Sequence, residues 1–363
     1  MNARLDCTPE QGCKWPARVV WVVRLGLASL LLIVGSTPSQ AQPLGPSLAS
    51  PSDMAPAIGA GLEPESDLEA MELPADLGLG CPPRWYTIGE AVALNREGDA
   101  GTTLSQAFRL PEFDFQLFGR ATVGHTRDCL NGWEVSYLGG GKWRNSAERT
   151  GPNNLNSRLV AGIDINPVDL AAFNNAASHF QQYESELHMA EVNRRWFGWD
   201  VMSVKTGVRW IHLDEEFFFL STLSSGAQGI VNVDLQNDLI LAQLGLDLMR
   251  PLGRLTYGGR IGGGIGVNVN NGRFFVENAG TSQINNSSNS EEFAFYFDAG
   301  YFAYYRLTRF LTVRVGYEGM FIGGLALAAD QINDPLTTAT GLAFDEHGNI
   351  FVHGGSAGIE LVW

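Results

Sequence analysis

The chain has 363 residues, of which 45% are hydrophobic and only 17% are charged, and its formal net charge is −15. Soluble globular proteins usually carry about 25% charged residues, so this chain is poor in charge for that class. The acidic balance argues against nucleic acid as a partner.

The N-terminal segment has the features of a secretory signal peptide. Basic residues up to Arg24 precede a short apolar stretch at 25–35, and Ser39-Gln40-Ala41 places small residues at the cleavage site. We therefore predict a signal peptide over 1–41. The next segment, 42–80, has acidic residues but no Lys or Arg. It is predicted to be a disordered acidic Pro/Ala-rich linker, with a short amphipathic helix around 66–73 as the alternative.

From residue 83 onward the sequence alternates with a period of two, as expected of β-strands. Over 255–270 apolar side chains occupy the odd positions, and small or polar side chains occupy the even ones. The segments 293–305 and 311–321 alternate in the same way. Ten strands are predicted over these ranges: 84–95, 113–125, 131–143, 183–197, 200–216, 235–250, 253–270, 291–306, 309–323 and 350–363.

The connections between these strands alternate between long and short. Long loops are predicted at 96–112, 144–182, 217–234, 271–290 and 324–349, with short turns between them. Bacterial outer-membrane barrels have short periplasmic turns and longer extracellular loops, and no apolar run after residue 40 reaches the roughly 18 residues of a membrane helix. The pattern predicts an all-β fold for 81–363: a closed, antiparallel, up-and-down transmembrane barrel of about ten strands with both termini in the periplasm.

The last strand ends in a pattern similar to the C-terminal assembly signal of outer-membrane barrels. The residues that carry it are Ser356, Gly358, Leu361 and Trp363. We therefore expect the cell outer membrane as location, with outer-membrane lipid and the barrel-assembly machinery as partners. The oligomeric state stays open.

The strand alternation places charges of both signs in the lumen. The predicted lumen-facing residues are Asp114, Arg120, Glu134, Lys205, Arg209, Asp247, Arg260, Asp298, Arg306, Arg314, Glu318 and Glu360. Buried charges are costly unless they pair or stay hydrated, and a ten-stranded barrel is only slightly wider than the eight-stranded kind that side chains can fill. We expect a narrow or plugged interior crossed by Arg–carboxylate pairs.

Cys81 and Cys129 both map to the periplasmic rim. A disulfide there is compatible with an oxidising periplasm, and two unrelated thiols are the alternative.

Few residues suggest catalysis. His179, His212, Asp214 and His347 map near the outer rim, but no G-x-S-x-G motif and no metal-ligand spacing accompanies them. No enzyme, cofactor or metal is predicted.

Several segments resemble one family, the planctomycete outer-membrane proteins of β-barrel porin family 7. They are Trp133–Tyr137 (WEVSY), Tyr183–Arg195 (YESELHMAEVNRR), Gly207–Phe217 (GVRWIHLDEEF) and His353–Trp363. The resemblance covers roughly 84–363 and implies location and architecture, without ligand or catalytic residues.

Two functions are compatible with the sequence. The first is a porin-like narrow channel for small solutes. The alternative is a structural or adhesion barrel of the cell envelope with a plugged lumen, whose Asn-rich loops bind partners.

Overall fold

The structure is a computed structural model, and it describes residues 85–97, 102–127, 130–199, 201–332 and 335–363. The predicted signal peptide, the acidic linker, Cys81 and Cys129 lie outside the described residues. Within them the chain forms eleven β-strands: β1 (Trp85–Glu97), β2 (Gln116–Thr126), β3 (Asn131–Gly139), β4 (Lys142–Leu155), β5 (Ala176–Trp199), β6 (Met202–Thr222), β7 (Gln228–Leu252), β8 (Leu255–Asn278), β9 (Thr281–Arg306), β10 (Leu311–Leu325) and β11 (Gly348–Val362).

The strands form one antiparallel sheet that closes into a ring. β3 and β4 both pair with β5, and only Gly140 and Gly141 separate them, so together they make one interrupted barrel strand. At the seam β1 pairs with β11, and the backbones of Trp85 and Trp363 exchange hydrogen bonds of 3.1 and 3.2 Å. The predicted closed barrel of about ten strands is confirmed.

The outer face of the barrel carries a continuous apolar band. Its large side chains point away from the interior and are exposed, as at Leu244 (63%) and Ile265 (63%). The band on the strands includes Val123, Val135, Val192, Ile240, Leu244, Leu248, Ile261, Ile265, Val267, Phe293, Phe295, Phe297, Val315, Phe351, Ile359 and Leu361. On β8 it runs from Tyr257 to Val267, which at about 3.3 Å per residue and a usual strand tilt spans roughly 25 Å, the height of the apolar band in outer-membrane barrels.

Beyond this band the strands on one side of the barrel continue much further than predicted. β6 and β7 are joined by a turn at 223–227, and β8 and β9 by a turn at 279–280. The predicted long loops at 217–234 and 271–290 are therefore wrong. The reason is that Phe217, Phe219, Val231 and Phe274 bury inward-facing apolar side chains in this extension, while residues that alternate with them, such as Asn232 and Arg273, face outward.

Three long connections remain, all at the same end of the barrel: 98–115, 156–175 and 326–347. The second contains a 3₁₀ helix, Pro167–Phe173. The third covers the edge of β9 that extends past β10, where Asn286 donates hydrogen bonds of 2.7 and 2.8 Å to the carbonyls of Thr340 and Thr338. Covering such an edge prevents it from pairing with another chain. No helix in the described residues is long and apolar enough to cross a membrane.

Candidate functional site: the barrel interior

The interior of the barrel is divided into two layers of different chemistry. Near the short turns it holds a polar chamber of about 330 Å³, with Phe197, Met249 and Pro251 at the turn side and Leu94 and Met320 also in the lining. Toward the long loops the inward side chains are apolar and buried in one continuous core. From the short-turn end to the long-loop end, the interior thus changes from a charged chamber to an apolar core.

The structure places ten of the twelve predicted lumen charges on the wall of this chamber. They are Arg120, Glu134, Lys205, Arg209, Asp247, Arg260, Asp298, Arg314, Glu318 and Glu360. The other two predictions are wrong. Asp114 precedes the first residue of β2 and is exposed, so strand alternation does not apply to it. Arg306 is the last residue of β9 and is exposed at a turn.

Four arginines in the chamber each bridge two carboxylates that come from different strands. Arg195 contacts Glu134 at 3.0 Å and Asp247 at 2.5 Å. Arg209 contacts Glu191 at 2.8 Å and Asp298 at 3.5 Å.

Two further arginines repeat the arrangement near the seam. Arg314 contacts Glu360 at 2.9 Å, and Arg120 bridges Glu90 and Glu318. Buried charges are tolerated when they are paired in this way, and because the partners come from different strands, the pairs cross-link the wall.

Three charged residues of this network are not among the sequence-predicted ones. Glu191 and Arg195 lie on β5, where they share the inward face with Tyr183 and Leu187. Glu90 lies on β1, two residues after the buried Ile88. Alternation would have identified all three once the phase of each strand was fixed, but the outward face of β5 is also polar, which obscures its phase.

The apolar layer is a plug made by the three long loops. Phe113 comes from the first loop, Phe173 from the second and Leu327 from the third, and each is almost fully buried. They belong to one hydrophobic cluster with inward residues of the wall such as Phe217 and Leu239. The interior at the long-loop end is therefore filled by the protein itself.

Specific polar contacts fasten the first loop to β5. The side chain of Gln181 accepts from the amide of Leu104 at 2.9 Å and donates to the carbonyl of Thr102 at 2.9 Å. Ser105 Oγ lies 3.0 Å from His179 Nδ1, in the part of β5 beyond the apolar band. Burial lowers the pKa of His179, so the neutral form of its ring is favoured.

The third loop is fastened from the opposite wall. Asn237 of β7 accepts a hydrogen bond from the amide of Ala326 at 2.9 Å and donates one to its carbonyl at 2.8 Å. Asn268 of β8 donates to Asn237 at 2.8 Å and to the carbonyl of Gly324 at 2.9 Å. These amides satisfy backbone groups that would otherwise be buried without partners.

A single ion pair lies across the interior within the apolar layer of the described residues. Arg96 of β1 contacts Glu215 of β6 at 2.6 Å, with both side chains at most 1% exposed. Tyr183 donates to Glu215 at 2.8 Å, and so does the amide of Ala328 at 2.9 Å. The guanidinium also lies over the ring of Phe113, 5.3 Å from its centroid. The pair thus touches both the first and the third loop.

The residues considered for catalysis are not brought together. His179 faces the interior, whereas His212 pairs with Asp238 at 2.8 Å on the outward face, which Asp214 shares. His347 is exposed and lies 3.2 Å from Asp345. Among the described residues no cluster of His, Cys, Asp and Glu is arranged to hold a metal ion.

The predicted assembly residues lie along the seam strand. Ser356 and Gly358 share the inward face of β11 with Glu360, and Leu361 faces outward at 43% exposure. Trp363 follows the strand and is 61% exposed. Their role in assembly stays a prediction.

Neither a protein-family model nor a curated protein matches the chain. Similar solved structures include the outer membrane protease OmpT from Escherichia coli, at 8% identity, covering 78% of this chain and 97% of that one with a TM-score of 0.40. The Ralstonia pickettii toluene transporter TbuX follows at 10% identity, 81% and 92% coverage and a TM-score of 0.36. Likeness at these levels carries no inference about function, which has to come from the chain's own geometry.

Proposed function

We propose that this chain is a porin-like barrel of the bacterial outer membrane, not an enzyme, and that small solutes cross it when the loop plug moves. The observation that carries the proposal is an apolar outer band around an interior that holds a charged chamber at one end. Soluble monomers rarely expose contiguous apolar surface on this scale, and in hydrocarbon a closed barrel satisfies every backbone hydrogen bond of the wall.

The proposal includes the orientation. Short turns face the periplasm in outer-membrane barrels, so the chamber is assigned to the periplasmic side. Trp85, where β1 begins, and Trp363, which follows β11, are assigned to the same side. The plug then faces the outside of the cell. Outer-membrane lipid and the barrel-assembly machinery are the proposed partners, and the resemblance to β-barrel porin family 7 agrees with this assignment.

Conduction in planar bilayers tests the proposal. The protein refolded in detergent, with folding checked by heat-modifiable migration, is expected to give small, intermittent current steps because the plug must leave the lumen. If correctly folded protein gave no current at any voltage, the channel proposal would be overturned. The structural or adhesion barrel would then be the remaining function.

A reversible crosslink tests whether the plug is the barrier. In a background with Cys81 and Cys129 replaced by Ser, Asn237→Cys combined with Ala326→Cys joins the third loop to β7, where the two residues now share two hydrogen bonds. We expect the oxidised double variant to be silent and a reductant to restore the steps. Each single Cys variant serves as the control and is expected to ignore the reductant. Equal conduction by the oxidised and reduced double variant would rule out loop movement.

A further inference from the structure

We propose that the Arg96–Glu215 ion pair is the gate of the barrel: the contact that must break before the lumen opens. This inference rests on the proposed function and names its regulation. The pair spans the lumen, since four of the ten steps around the ring separate β1 from β6 along the shorter path, through β2, β3 and β5. A contact between nearly opposite walls closes a passage, whereas a contact between neighbouring strands only lines it.

The position of the pair along the barrel supports the same role. Leu94, two residues before Arg96 on the inward face of β1, lines the chamber, and so does Val352, the register partner of Arg96 on β11. β1 ends one residue after Arg96, at Glu97. The pair therefore lies at the boundary where the polar chamber ends and the plug begins.

The pair also couples the wall to two loops at once. Phe113 packs on the Arg96 guanidinium, and the amide of Ala328 donates to Glu215. Moving either loop outward would strip a buried charge of one of its contacts. A buried ion pair is costly to break from one side, so the pair adds to the apolar packing of the plug in holding the closed arrangement.

Neutralising one partner tests the gate. Glu215→Gln preserves size and an oxygen acceptor for Tyr183 and Ala328 but removes the charge that Glu215 places against Arg96. We expect the open probability in planar bilayers to rise by about tenfold or more, because the ion pair that spans the lumen is lost. Glu112→Gln is the matched control and is expected to behave as wild type. Glu112 is an exposed carboxylate in the first loop, next to Phe113.

Exchange of the two charges separates pairing from packing. The double variant Arg96→Glu, Glu215→Arg is expected to have a lower open probability than Arg96→Glu alone, because the two charges can pair again. If the two side chains closed the lumen only by their size, exchanging them would give no such recovery. Heat-modifiable migration is measured for every variant, and a variant that fails to fold is replaced by Arg96→Met.

The outcomes distinguish the gate from the channel. Conduction by wild type with no change in Glu215→Gln overturns the gate and leaves the channel. Conduction by folded wild type, with a higher open probability in Glu215→Gln, supports both. Silence of folded wild type and folded Glu215→Gln overturns both.

Discussion

Neighbouring glycines on the last strand show how much a single residue can matter at the seam of the ring. A Cβ built on Gly354 would overlap the carbonyl oxygen of Ala93 on β1, whereas one built on Gly355 has Gly316 O, at 3.8 Å, as its nearest neighbour. Gly354 therefore lets β11 approach β1 closely on the inward side. Gly355 lies on the outward face, where a side chain would have room.

Gly354→Ala is expected to destabilise the barrel. Because the obstacle is backbone, the seam must widen, and overpacking of this kind costs about 1–3 kcal/mol. The free energy of unfolding can be measured by urea titration in lipid vesicles with tryptophan fluorescence. Gly355→Ala is the control and should stay within about 0.5 kcal/mol of wild type. Equal losses in the two variants would show that the close approach is not what glycine supplies at 354.

At the scale of elements, the first loop depends on one titratable contact with β5. Ser105 and the ring of Phe219, whose centroid lies 5.1 Å from that of His179, pack against the imidazole. Burial lowers the pKa of His179, so the docked loop favours the neutral ring. Above the ordinary histidine pKa of about 6.5 docking is unaffected by pH. Below this pH, His179 is protonated when the loop is undocked but stays largely neutral when the loop is docked. Protonation therefore favours the undocked state, and docking weakens.

Hydrogen–deuterium exchange of the amides in 103–110 measures this effect, after correction for intrinsic rates. Protection is expected to fall as the pH drops from about 6.5 to about 5. His179→Asn keeps a polar partner for Ser105 and should abolish the pH dependence, whereas His347→Asn, in the exposed part of the third loop, should preserve it. An unchanged pH response in His179→Asn would assign the effect to another group.

The strands could be predicted from sequence because one face meets lipid and the other does not. That contrast is strongest on β10, whose predicted range of 309–323 lies close to the observed strand, and on β8 up to residue 270, beyond which the strand continues to Asn278. It fails where β9 leaves the apolar band, because its Asn- and Ser-rich stretch at 285–290 has little β propensity and is extended through pairing with β8.

The charged chamber was largely predictable and a narrow or plugged interior was expected, but the loops that form the plug and the proposed Arg96–Glu215 gate were not predicted. Alternation identifies an inward charge from its neighbours on the same strand, which is local information. Arg96 falls in a predicted loop and Glu215 in a run of acidic residues, Asp214-Glu215-Glu216. Their pairing depends on how strands far apart in the chain face each other across a closed ring, which no local pattern encodes.

For the whole molecule, the polarity of the inner and outer faces of the barrel wall changes along the barrel axis. Within the outer band, apolar side chains face out and charges face the chamber. In the extension beyond the band the pattern reverses: on β7, Asn232 and Gln236 face out while Val233 and Leu235 face in. One continuous strand can meet both demands because the change of solvent, from lipid to water, occurs along its length. The extension thus acts as a water-soluble domain with its own apolar core, built on the rim of a membrane barrel.

A charge placed at each height of β7 tests this division. Leu244→Arg puts a guanidinium in the middle of the apolar band, where arginine costs about 2–4 kcal/mol. Gln236→Arg, on the same face eight residues earlier and beyond the band, should cost nothing measurable. Urea titration in vesicles is expected to show the loss for Leu244→Arg alone. If the barrel were instead a soluble protein, Leu244→Arg would not be destabilising. Leu244 is already 63% exposed, and a charge there would only improve solubility in water. Equal stability of the two variants in vesicles would therefore contradict the membrane assignment, and with it the orientation, the chamber as an entrance and the plug as an outer barrier.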